Sequence, residues 1–130
     1  MTEYNLEERT AKFGENIIIF CNHLPRNEIT KPLITQLVKS ATSVGANYCE
    51  ADDAESREDF KHKIGICKKE ARESKHFLRM IATALPEFKE DARKLWIEAK
   101  ELNLIFNTIY RKVGTSKKFG HSLDQLGQLE

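Results

Sequence analysis

The sequence predicts an all-α protein, an antiparallel up-down four-helix bundle. Three observations predict it. Apolar side chains recur at alternating spacings of three and four residues along four separate segments. Capping and turn residues fall between those segments. Only three prolines and six glycines are spread over 130 residues, too few for the many turns of a strand-rich fold.

The first segment carries Leu6, Thr10, Phe13, Ile17, Phe20 and Leu24. "LPRNEITKP" ends it, with Thr30 suited to an N-cap and Pro32 to a first turn. Ile34, Leu37, Ala41, Val44, Tyr48 and Ala51 mark the second segment. "DDAES" follows, where Ser56 with Asp59 three residues on resembles a capping box. The third runs through Phe60, Ile64, Cys67, Ala71, Ser74, Leu78, Ile81 and Leu85, and Pro86 then fits the first turn of another helix. That fourth helix carries Phe88, Ala92, Leu95, Ala99, Leu102, Phe106, Ile109 and Val113. Such spacings put one side chain per turn on a single face, in helices of roughly 18 to 28 residues. Residues 1–113 therefore read as one domain. From Gly114 the period is lost, and 114–130 reads as a flexible tail whose Lys117, Lys118 and Phe119 suit folding on a partner.

Charge is balanced overall, 21 Lys and Arg against 20 Asp and Glu, so the total selects no partner. Its distribution is uneven. Residues 1–55 carry a net −4 and residues 56–130 a net +5, which points the second half at an anionic partner. Cys21, Cys49 and Cys67 are odd in number, lie in apolar helical pattern and lack CxxC spacing. They read as buried free thiols of a cytoplasmic protein. The acidic, polar N-terminus is no signal peptide. The apolar run "IIIFC" is too short to cross a bilayer, so no membrane partner is expected.

Some apolar residues lie outside the seam: Ile66, Phe77 and Met80 on the third helix, and Trp96, Ile97, Leu104, Ile105 and Tyr110 on the fourth. Ile18 and Ile19 do the same on the first. One stripe per helix suffices for a single bundle, so these point to a subunit interface of a homo-oligomer, the alternative being a wider core.

"KSATSVGANYCEA" spends protected helix positions on small and hydroxylated residues. Ser40 and Asn47 fall on one flank, Ser43 and Glu50 on the other. Gly45 in mid-helix costs about 1 kcal/mol against Ala, so it needs a packing reason. Lys63, Glu70 and Glu73 on the third helix are candidate partners for a polar ladder that fixes register between helices.

"QLVKSATSVGANYCEA" and "DFKHKIGICKKEARESKHFL", separated by a short acidic loop, resemble the four-helix-bundle family of proteins encoded in bacterial 23S rRNA intervening sequences. The accessory variability determinant of diversity-generating retroelements is similar to the same group. With "ERTAKF" ahead of them, these motifs extend the resemblance over roughly residues 6–110. It implies a bundle with no catalytic activity and no cofactor, assembled as a ring, a homopentamer. It also implies RNA or RNA/DNA and a reverse transcriptase as partners. The family's hydroxyl, Asn and Glu positions match Ser40, Ser43, Asn47 and Glu50, and its Lys and acidic positions match Lys63, Glu70 and Glu73. One departure stands out: the retroelement accessory is strongly basic, whereas this chain is nearly neutral.

The strongest candidate site is a basic stripe on the third helix, Lys61, Lys68, Lys69, Arg72, Lys75 and Arg79, all placed away from the seam with no acid on that face. Repeated around a ring, it would bind nucleic-acid phosphates in a salt-sensitive way. No aromatic stacking platform is evident in the sequence, so readout is expected to be of backbone and shape. The competing reading is a solvated face balanced by acids such as Glu8, Glu15, Glu90 or Glu98. A second class is a protein-binding adaptor that uses the extra apolar faces. A third, a di-iron bundle enzyme, rests on Glu73-x-x-His76 with Asp59-x-x-His62 as its nearest echo. Both elements lie on one helix, whereas such sites draw ligands from several, so no metal site is expected.

Overall fold

A computed structural model describes residues 5–115, and its regular structure is helical throughout: α1 (Leu6–Asn22), α2 (Thr30–Asp52), α3 (Arg57–Ala84) and α4 (Lys89–Thr115). A short 3₁₀ turn, Pro86–Phe88, links α3 to α4. α4 runs past the expected end at Val113 to Thr115, and the rest of the predicted tail lies outside the described residues.

Local chemistry explains the helix starts. Asn5 adopts a left-handed φ of 39°, which asparagine tolerates, and its side-chain oxygen accepts the Glu8 N–H at 3.3 Å. Ser56 accepts the Asp59 N–H at 3.0 Å, the expected cap of α3. Thr30 is not the cap of α2. The cap position falls on Ile29, which makes no side-chain cap bond, and Asn27 serves from two residues ahead, its Oδ1 accepting the N–H groups of Ile29 at 2.8 Å and Thr30 at 2.9 Å. The Thr30 hydroxyl instead turns inward, donating to the Pro25 carbonyl at 2.8 Å and accepting the Asn27 N–H at 2.9 Å. Thr30 and Asn27 are both cap types, and burial of Thr30 decides between them.

The seam forms the core. Of its side chains only Tyr48, Phe88 and Leu95 fall short of full burial. α3 packs closely on both α2 and α4, while α1 lies mainly on α2 and touches α4 more lightly. Between α2 and α3, polar contacts join Ser40 to Ser74 and Glu50 to Lys63.

The small residues of α2 have a packing reason. A Cβ on Gly45 would stand 3.3 Å from the Thr10 hydroxyl and 3.4 Å from its carbonyl oxygen, so glycine lets α1 approach there. Cys21 and Cys67 are buried as expected, but Cys49 is exposed. Burial pushes the Cys67 thiol up to about 12 and the Cys21 thiol up to about 11, which leaves both poor nucleophiles at neutral pH.

Candidate functional site

The expected polar ladder forms in part. Ser40, Ser43, Asn47 and Glu50 are spaced three, four and three residues apart, so they share one edge of α2 and do not occupy opposite flanks. That edge faces α3. Ser40 and Ser74 hydroxyls meet at 3.0 Å, both buried, and Lys63 donates to Glu50 at 2.6 Å. Asn47 turns back along its own helix, donating to the Ser43 carbonyl and hydroxyl, each at 2.9 Å. Neither Glu70 nor Glu73 takes a rung: no hydrogen bond or ion pair among the described residues involves their carboxylates. Burial, then the charge of Glu73, raises the Glu70 pKa.

The basic stripe divides into two rows. Lys69, Arg72 and Arg79 are exposed, whereas Lys61, Lys68 and Lys75 are half-buried against α4 and do not simply point away from the bundle. The inner row rests on aromatic rings. The ammoniums of Lys61 and Lys68 each lie 4.6 Å from the centroid of the Tyr110 ring. Lys75, from α3, and Lys100, from α4, stand 5.3 Å and 5.6 Å from the Trp96 ring. Lys68 also donates to Asn107 at 3.3 Å, and Asn103 donates to the Lys68 carbonyl at 2.8 Å.

Two groups separated in the sequence reading thus meet on one α3–α4 face. Trp96 and Tyr110, expected at a subunit interface, support the lysines expected to hold phosphate. Nothing in the sequence marks Lys100, Asn103 or Asn107 as part of this face. A cross-helix signal was present in the heptad spacing of Lys61, Lys68 and Lys75, which forms one row parallel to the seam. The remaining interface candidates scatter. Ile97 and Leu104 are exposed, at 44% and 54%, on the outside of α4. Ile105 of α4 and Phe77 of α3 pack on the core margin, while Ile66 and Met80 are half-buried on α3.

Among the described residues no carboxylate forms an ion pair with the stripe. The ion pairs among the described residues are Arg9 with Glu98 and Glu101, both at 2.7 Å, and Lys63 with Glu50 at 2.6 Å. None of the six stripe cations takes part. Glu98, one acid expected to balance the stripe, is held by Arg9 through two bonds, which raise the Arg9 pKa. Glu73, His76, Asp59 and His62 are all exposed along α3. Among the described residues no group of three or more His, Cys, Asp or Glu side chains is placed to hold a metal ion. No helix among them is long and apolar enough to cross a membrane.

Comparison with known proteins places this chain beside solved structures. A protein of unknown function from the S23 ribosomal protein family of Bacteroides thetaiotaomicron shares 26% identity and superimposes with a TM-score of 0.70. The match covers 80% of this chain and 96% of that one. No curated protein matches. The family model of the 23S rRNA-intervening sequence proteins matches residues 3–108. A match over that span takes in all of α1, α2 and α3 and most of α4, and the chain belongs to the 23S rRNA-intervening sequence protein family.

Proposed function

We propose that this protein is a non-catalytic scaffold of the cytoplasm that binds structured RNA or RNA/DNA through its α3–α4 face. Its four helices form an antiparallel up-down bundle, a reading supported by the opposed numbering across neighbouring helices. Copies of the bundle assemble into a ring, a homopentamer by family resemblance, and a reverse transcriptase is the protein partner that the same resemblance suggests.

The observation that carries this reading is a row of cations without carboxylate partners, joined by Lys100 from α4. Charge left unpaired along a helix is available to phosphate, and ligands of this kind release counterions when bound. Fluorescence anisotropy of a labelled RNA hairpin tests it at two salt concentrations. Six phosphate contacts would weaken binding by about a thousandfold between 50 and 200 mM salt. Reversing K68E, K75E and R79E together is expected to abolish binding at low salt while helicity is kept. Wild-type protein that fails to bind even at low salt overturns the reading.

The protein-adaptor reading is favoured by the exposed Ile18, Ile19, Ile97 and Leu104. The same charge reversal would leave an apolar partner bound, so one set of variants separates the two.

A further inference from the structure

We propose that Tyr110, seated on Gly65, is a positioning residue that holds Lys61 and Lys68 as a two-pronged clamp for the phosphodiester backbone. This rests on the reading that the α3–α4 face binds nucleic acid. Lys61 precedes Gly65 by four residues and Lys68 follows it by three, so the lysines stand one turn to either side of the glycine on a single ridge. A Cβ at position 65 would lie 3.1 Å from Cε1 of Tyr110, a tight contact that would push the ring away by a few tenths of an ångström. Glycine lets the ring seat against α3 without that shift.

With both ammoniums 4.6 Å from one ring centroid, the two charges lie within about 9 Å of each other. Such cations repel, and neither is in an ion pair with a carboxylate among the described residues. The negative face of the tyrosine ring offsets part of that repulsion. A phosphate arriving between them relieves the rest. Asn107 fixes the Lys68 ammonium at 3.3 Å, and Asn103 ties the α3 backbone at Lys68 to α4 at 2.8 Å. The prongs are thus ordered before ligand arrives, so less side-chain freedom is lost on binding than for lysines in open solvent. Because both ammoniums already lie against the half-buried ring, its part is to support charge and not to stack on bases.

The experiment uses the full chain and a fluorescein-labelled RNA hairpin at low salt, with melting temperature recorded for each variant. Y110F keeps the ring face and is expected to bind within about twofold of wild type. Y110L removes it and is expected to bind about tenfold more weakly. G65A, which favours helix but displaces the ring, is expected to follow Y110L, and it decides the matter if Y110L unfolds. Wild-type binding with Y110L and G65A unchanged overturns the clamp and leaves the wider function standing. Equal losses in Y110F and Y110L also overturn it, because the ring face would then not be the active feature. Wild-type protein that does not bind removes both the function and the clamp.

Discussion

At the scale of single residues, small differences in separation decide what a position allows. Gly14 and Gly45 both lie where α1 crosses α2, and both carry the helix cost of glycine, about 1 kcal/mol. They differ in what a methyl group would meet. At Gly14 the added Cβ would be 3.6 Å from Thr42 Cα, an ordinary contact. At Gly45 it would meet the Thr10 hydroxyl at 3.3 Å and the Thr10 carbonyl at 3.4 Å. Thr10 cannot easily give way: it is buried, and its hydroxyl donates to the Leu6 carbonyl at 2.6 Å. Gly14→Ala is therefore expected to stabilise the fold by about 0.5–1 kcal/mol, and Gly45→Ala to destabilise it by about 1 kcal/mol. Urea denaturation monitored by circular dichroism measures both. Equal effects at the two sites would show that helix propensity, and not the α1–α2 approach, governs them.

Helix elements are tied together by a few polar contacts set within a legible apolar seam. That seam could be read from sequence because a residue's place on a helix face follows from its spacing alone. Ser74, a serine in a core position of α3, shows where such reading stops. Its spacing predicted burial, but the sequence could not show that its partner would be Ser40, outside the α2 seam, because that depends on how far one helix slides along the other. Asn27 and Thr30 pose the same limit for capping, and Tyr110 with Gly65 for the candidate site, where the fit is made by two distant segments. The serine pair gives a measurable consequence. Ser74 donates to the Glu70 carbonyl at 2.9 Å, leaving its oxygen to accept from Ser40. In the other arrangement Ser40 donates to the Leu37 carbonyl at 3.2 Å and accepts from Ser74. Either way one chain of hydrogen bonds crosses from helix to helix. Ser40→Ala and Ser74→Ala are each expected to cost about 1 kcal/mol, and the double variant less than their sum. A double-mutant cycle in urea reads the coupling, and strict additivity would mean that the hydroxyls act independently.

Across the whole molecule, apolar exposure and positive charge converge on α4 and its neighbour. Trp96 and Tyr110 are occupied under lysines, so of the eight interface candidates Ile97 and Leu104 are the ones left exposed. They lie seven residues apart, two turns along one line, as a helix-to-helix contact requires. If copies meet there, each junction brings the basic rows of two protomers close together, and assembly strengthens RNA binding without any new contact within the protomer. The cost is repulsion between like charges, which an RNA spanning the junction would relieve. The double variant I97E/L104E separates these effects, because both side chains are exposed and neither helps fill the core. Its melting temperature is expected to stay within a few degrees of wild type, surface changes being small in energy. Its sedimentation mass is expected to fall to that of one chain, and its affinity for a long RNA to drop more than its affinity for a short hairpin. A variant that stays assembled would move the interface to Ile18 and Ile19 on α1, and the basic face would then bind RNA away from the junction.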